Sequence, residues 1–262
     1  MSLQSSSLRL TSLVRAAALL GLALLTACTT APVTGRKQLI LLSDSQATQM
    51  GVDAYQQIKS ATRVSGDARL TQAVQRAGRR IADVSGQPGL AWEFLVFEDS
   101  SPNAFALPGG KVGVNSGLFK VVKTEHQLAA VMAHEVAHVL AKHSAERVSQ
   151  QVLVQTGAQA LGATAGVQWA QLAAQAASLG VILPYSRTQE SEADEIGLIY
   201  MAQAGYNPRA AVEVWQNFAA LGGNRPPEFL STHPAPATRI QRLQSQLPRA
   251  LEIYQNNPNK LQ

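Results

Sequence analysis

His134-Glu135-Val136-Ala137-His138 lies inside a longer stretch, Thr124 to Gln150, whose apolar residues Leu128, Val131, Met132, Val136 and Leu140 recur with a helical period. Thr124, with Gln127 three residues on, resembles a capping box and marks where the helix starts. At about 100° per residue, positions four apart differ by about 40° around the axis. Both imidazoles therefore leave one face and can grip a single cation. Glu135 sits one step round from His134, beside such a cation rather than on it, where its carboxylate can take a proton from a water that the metal activates. The plain alternative is an amphipathic helix with two surface histidines. The apolar flanks argue against it, because a buried helix does not tolerate unpaired polar groups cheaply.

A third ligand comes from downstream. Tyr185 to Asp194 reads as the start of another helix, with Glu190 placed 52 residues after His138 and Asp194 four residues beyond Glu190. This spacing lets Glu190 complete a His-His-Glu zinc site while Asp194 accepts the second ring N–H of a ligating histidine. Glu192 points about 200° away from Glu190 on the same helix and cannot share that role. A salt bridge with Arg187 is the bland alternative for Glu190. His143, nine residues after His134, falls on the opposite face of the helix and is not expected to bind the metal. His126 reads as a surface residue. His233, in Ser231-Thr232-His233-Pro234, lies in a late loop bounded by Pro234 and Pro236, where it can approach the metal from elsewhere or simply cap the loop.

The first 27 residues read as a targeting segment. Arg9 and Arg15 precede an apolar run, Ala16 to Leu25, too short for a permanent membrane span. It ends in Leu25-Thr26-Ala27-Cys28, which resembles the lipobox of bacterial lipoproteins, so Cys28 is expected to carry a lipid and become the mature N-terminus. As the chain's one cysteine, it has no internal disulfide partner. Thr29, rather than Asp, after that cysteine implies sorting to the periplasmic side of the outer membrane in place of the inner membrane. Removing residues 1–27 takes away two of the 22 basic groups and none of the 17 acidic ones, so the net charge falls from +5 to +3. Such a mild charge gives no basis for nucleic-acid binding.

Residues 28–42 read as a lipidated tether and residues 43–262 as one domain, a size that allows a single sizeable core. Helices are expected from Ser43, over about 67–84, 124–150, 187–203, 208–221 and 236–246. Trp92–Phe97, Asn103–Leu107 and Lys111–Asn115 read as a small antiparallel sheet, with Pro108-Gly109-Gly110 suited to a hairpin. Residues 151–183, rich in Ala, Gln, Gly and Leu, read as packed helices or as a cover over the site.

Taken together, the His-Glu-x-x-His motif, the downstream Glu190-Ser191-Glu192-Ala193-Asp194 and the late Thr232-His233-Pro234 followed by Arg239-Ile240 resemble the peptidase family that includes the bacterial heat-shock protease HtpX, the mitochondrial protease OMA and the CAAX prenyl endopeptidases. Within it the chain looks most like the small periplasmic lipoprotein members. Thr34-Gly35-Arg36-Lys37-Gln38-Leu39 resembles their N-terminal signature, and Asn103-Ala104-Phe105 their substrate-facing edge strand. The resemblance implies an α+β, predominantly helical zincin-like (gluzincin) domain. It implies one zinc per chain held by His134, His138 and Glu190, Glu135 as the catalytic carboxylate and Asp194 as the acid behind a ligand. His233 matches a histidine that in relatives approaches the metal, either as a fourth ligand that must leave or as a helper to the transition state, and Arg239 matches the arginine after it.

The function this implies is a zinc-dependent endopeptidase that cleaves unfolded or misassembled envelope proteins, with an extended substrate pairing along the strand at Asn103, Ala104 and Phe105 through main-chain hydrogen bonds. The alternative is a periplasmic chaperone-like assembly factor whose zinc is mainly structural or regulatory. The expected partners are unfolded or misfolded proteins and, through the lipid on Cys28, a membrane.

Overall fold

The computed structural model describes residues 28–162, 185–221, 229, 233 and 238–261, and the side chains of all of these except Cys28 and residues 154–162. The expected signal segment, most of the expected cover at 151–183, and the prolines flanking His233 lie outside the described residues. In chain order the elements are β1 (Cys28–Thr30), β2 (Lys37–Leu39), α1 (Asp44–Ala61), α2 (Ala68–Val84), β3 (Glu93–Phe97), β4 (Ala104–Leu107), β5 (Lys111–Asn115), a 3-10 turn (Ser116–Lys120), α3 (Glu125–Leu140), α4 (His143–Gly162), α5 (Arg187–Gln203), α6 (Arg209–Ala220) and α7 (Arg239–Gln255). The fold is α+β, as the sequence suggests. No helix among the described residues is long and apolar enough to cross a membrane.

Helix α3 is the centre of the core. Every residue from Gln127 to His138 is buried, because small and apolar side chains surround its axis rather than occupying one stripe. Helices α2, α5 and α6 pack around it, and β4 lies across it. At its start the Thr124 hydroxyl accepts the Gln127 N–H at 3.2 Å, as the capping pattern predicts. The reciprocal bond is displaced by one residue, since Gln127 Oε1 accepts from the N–H of Lys123 at 2.8 Å. Ser186 and Gln189 form a complete capping box on α5. Gly197 of α5 faces the backbone of α3, and a Cβ there would stand 3.2 Å from the amide nitrogen of His134. That close approach brings the acidic residues of α5 up to the histidines of α3.

Four features depart from the sequence reading. First, the helix expected to run to about Gln150 stops at Leu140, and Lys142 takes a left-handed conformation (φ 51°) before α4 begins at His143. Second, the three-stranded sheet is mixed. Its order is β3-β5-β4, with β4 antiparallel to β5 but β3 parallel to it. The loop from Glu98 to Asn103 carries the chain across to the far edge, and Asp99 anchors it by accepting Ser101 N–H and hydroxyl on Oδ1 and Gly117 N–H on its carbonyl. Strand β5, with Val112 and Val114 fully buried, takes the centre. Third, residues 28–42 are not a free tether. β1 and β2 form an antiparallel hairpin, Cys28 opposite Leu39, and β2 packs on α4. At the other end, α7 starts at Arg239 and continues through Pro248 to Gln255, beyond the expected end near residue 246.

Helix α1 closes on the β4–β5 turn at Gly51, where a Cβ would lie 2.0 Å from the Pro108 carbonyl oxygen. Gly51→Ala should therefore force the two elements apart and cost about 1–3 kcal/mol of stability, the usual penalty of overpacking. A denaturation midpoint equal to that of the wild type would contradict this packing.

Candidate metal centre

One face of α3 and one of α5 build the site. His134 and His138 project together from α3, and α5 brings Glu190 against them. His138 Nε2 lies 3.1 Å from His134 Nε2 and 3.3 Å from Glu190 Oε1, and His134 Nε2 lies 3.5 Å from Glu190 Oε2. His233 enters from the late loop, its Nδ1 3.0 Å from Glu190 Oε1 and 3.3 Å from His134 Nε2. These four buried residues offer ligand atoms that all lie within 4.8 Å of one another. Three imidazoles and a carboxylate are a donor set suited to zinc. The spacing of the two histidine rings, edge to face with centroids 4.7 Å apart, converges on one point rather than two.

Glu135 occupies the neighbouring position. It is fully buried, and neither carboxylate oxygen has a hydrogen-bond partner, although His233 Nε2 stands 3.4 Å from Oε1. Burial pushes its pKa above the ordinary carboxylate range, against the pull of His233 and His134. An orphaned buried carboxylate costs free energy, so a purely structural cluster gives no reason for this one.

Asp194 lies 3.0 Å from His134 Nδ1, the ring nitrogen turned away from the cluster. Arg239 serves both acids of α5. Its Nε and Nη2 donate to the two oxygens of Asp194 at 2.7 and 2.6 Å, and its Nη1 donates to Glu190 Oε2 at 2.6 Å. The guanidinium lies over the Trp215 ring, 3.6 Å from its centroid. Glu190 therefore pairs with Arg239, not with Arg187. Burial opposes charge on both groups, but the neighbouring imidazoles of His233 and His134 hold Glu190 well below the usual range, and Glu190 with Asp194 raises His134 to about 9. His138 moves the other way: burial lowers its pKa well below the ordinary value.

Several neighbours were not legible beforehand. His143 is outside the four-donor cluster, yet it is not on a far face. Because the helix breaks at Lys142, its ring turns back, and its Nδ1 meets His138 Nδ1 at 2.8 Å. Glu192, facing away from the cluster as its spacing implies, accepts from His143 Nε2 at 2.9 Å. Burial alone would raise the pKa of Glu192, but hydrogen bonds from His143, Thr34 and Arg36 hold it at about 2. Tyr185 stacks on His138 with ring centroids 3.7 Å apart, and Arg147 lies over the opposite side of the arrangement, 3.8 Å from the Tyr185 centroid. Beyond the turned-away spacing of Glu192, the sequence signal here was the Thr34–Leu39 signature, whose partners lie more than a hundred residues away.

The strand at Asn103–Leu107 borders the site. β4 is an edge strand of its sheet, and a cleft of about 310 Å³ runs between Ala106, Leu107 and Pro108 on one side and His138, Val139 and Ser144 on the other. Asn103 is buried with its Oδ1 accepting the Ala104 N–H at 2.9 Å, and Ala104 is fully buried. The Phe105 ring packs on Tyr55 and Phe97 beside α1. What β4 leaves for a ligand is its main chain rather than these three side chains.

With this geometry in view, the model of Peptidase family M48 matches residues 68–247, and the chain belongs to that family. It is 38% identical over 227 residues to the mitochondrial metalloendopeptidase OMA1 of Schizosaccharomyces pombe, covering 84% of this chain and 66% of that protein. It is 31% identical over 222 residues to the beta-barrel assembly-enhancing protease of Escherichia coli, covering 80% and 46% respectively. A putative beta-barrel assembly-enhancing protease of Vibrio cholerae is 31% identical over 202 residues, covering 72% of this chain and 41% of that protein. The chain thus spans about two thirds of the first relative and less than half of the other two.

Arg239 donates three hydrogen bonds to the buried pair Glu190 and Asp194. Arg239→Met should lower the unfolding free energy of the metal-free protein by about 3–5 kcal/mol, the penalty for stripping the partner from a buried charge. A loss below about 0.5 kcal/mol in urea denaturation, the range of an ordinary surface change, would contradict this role.

Proposed function

We propose that this chain is a zinc-dependent endopeptidase that cleaves unfolded or misassembled proteins of the bacterial envelope, anchored by a lipid on Cys28 to the periplasmic side of the outer membrane. His134, His138 and Glu190 would hold the ion, with Asp194 fixing the tautomer of His134 and Arg239 holding Glu190 and Asp194 in place. The zinc would supply Lewis-acid chemistry, polarising the scissile carbonyl and acidifying a water. The observation that carries the reading is Glu135, buried beside the donor cluster with both oxygens unpartnered. Its raised pKa suits a group that takes a proton from the attacking water and passes it to the leaving amine.

An extended peptide laid along the free edge of β4 would pair through its backbone and pass His138 through the cleft. Main-chain pairing places little demand on sequence, which fits unfolded proteins as the substrate class. The family and the names of the relatives support peptide hydrolysis, and the beta-barrel assembly named for the bacterial relatives supports this setting. The lipobox-like Leu25–Cys28 supports the anchor.

A second reading is a chaperone-like assembly factor with a structural zinc. His233 favours it, because four protein donors within 4.8 Å would complete a closed coordination shell. Under the peptidase reading, His233 must give up that position when substrate arrives, or turn to steady the developing negative charge. Glu135 separates the two readings, since a closed structural site has no use for it.

Glu135→Gln should reduce cleavage of denatured casein by at least about 10²-fold, the scale of a lost general base, with bound zinc and melting temperature unchanged. Cleavage at the wild-type rate would leave the assembly-factor reading standing. Cys28→Ser should move the protein from the membrane fraction to the soluble periplasm. Continued membrane retention would refute the lipid anchor.

A further inference from the structure

The two histidines of α3 are oriented by different means. His134 finds its partner, Asp194, within the cluster of α5 and α7. His138 depends on a longer line of contacts that leaves the site. Its Nδ1 meets His143 Nδ1 at 2.8 Å, and His143 Nε2 meets Glu192 Oε2 at 2.9 Å. His143 is fully buried, and the side chain of Glu192 is nearly so. Glu192 in turn is held from the N-terminal hairpin, where Arg36 Nε donates to its Oε2 at 2.7 Å and the Thr34 hydroxyl donates to its Oε1.

Arg36 also reaches across to α4. Its Nη1 and Nη2 donate to the two oxygens of Glu146 at 2.7 and 2.8 Å, so one guanidinium joins α4 to α5 on either side of His143. Gln38 reinforces the same corner, donating to the Ala141 carbonyl at 2.6 Å, next to the helix break that turns His143 inward. The turn that presents Thr34 and Arg36 together contains Val33 at φ 65°, a left-handed conformation that a β-branched residue rarely adopts. Such a conformation persists where surrounding contacts enforce it, and here they are the contacts to Glu192 and Glu146.

We propose that Arg36 is a positioning residue for the metal centre: acting through Glu192 and His143, it fixes the ring of His138 in the orientation that ligation requires. This inference rests on the zinc reading of the cluster. It assigns the hairpin immediately after Cys28 a part in metal retention, and it explains why that hairpin is folded onto the domain instead of serving as a loose tether. Arginine suits the position because its planar fork can engage two carboxylates at once.

The test is zinc affinity, measured by competition with a chromophoric chelator on the full-length protein, combined with urea denaturation of the metal-free form. Arg36→Gln should weaken zinc binding by about 10-fold, the lower end of the loss on removing a group that orients a ligand. His143→Gln should weaken it by a similar factor. The double variant should be no weaker than His143→Gln alone, because both changes break the same line of contacts. Unchanged affinity for Arg36→Gln, or losses that multiply in the double variant, would overturn the proposal and leave Arg36 a purely structural cross-link. If Arg36→Gln does not fold, Thr34→Val, which removes a single donor to Glu192, should show the same non-additivity with His143→Gln, and additivity there would overturn it equally. A wild-type protein that binds no zinc would overturn the reading of the cluster and this inference with it, whereas tight wild-type binding that ignores Arg36 and Thr34 would sink the inference alone.

Discussion

Helix α5 carries two carboxylates, Glu190 and Asp194, into the core on one face, and the Arg239 guanidinium bridges both, with His134 facing them from α3. Two negative charges buried four residues apart would drive the helices apart or take up protons. The forked arginine eases that conflict by donating to both and binds α7 to α5, while its stacking on Trp215 brings in α6. Only then can α5 lie close enough, across Gly197, for Glu190 to meet His134 and His138. Electrostatic balance and helix packing are thus one problem at this site.

The result is a polarised cluster. Anionic neighbours raise His134 to about 9, burial lowers His138 well below its ordinary value, and burial raises Glu135 without giving it a partner. Groups of the same chemical type, a residue or a few residues apart on α3, acquire different properties from what α5 and the late loop place beside them. A proposed peptidase needs that division: donors that hold an ion, and a separate carboxylate left able to move a proton. His233 stands at the boundary between the two, 3.0 Å from Glu190 and 3.4 Å from Glu135.

What could be read from the sequence was whatever a helix repeats at short range. The four-residue spacings of His134 with His138 and of Glu190 with Asp194 place each pair on one face without any knowledge of the fold, and the turned-away position of Glu192 follows from the same arithmetic. The break after Leu140 was not legible, because Ala141-Lys142-His143 contains neither glycine nor proline, and the left-handed turn at Lys142 is held by tertiary contacts. That one miss put His143 on the wrong face. The parallel pairing of β3 with β5 was hidden for a similar reason: adjacency in sequence suggested β3 beside β4, whereas β5, buried from Val112 to Asn115, lies in the middle. Residues 28–42 looked like a tether because they follow the lipobox and carry Pro32 and Gly35. Their partners, Glu146 and Glu192, are more than a hundred residues away, beyond the reach of any local pattern.

Metal analysis of the purified protein, combined with cleavage of an unfolded protein before and after chelation, tests most directly whether the buried cluster is a catalytic metal centre. One zinc should be found per chain, cleavage should vanish when it is removed, and stoichiometric zinc should restore it. Cleavage that persists at full rate in metal-free protein would contradict that assignment at its root.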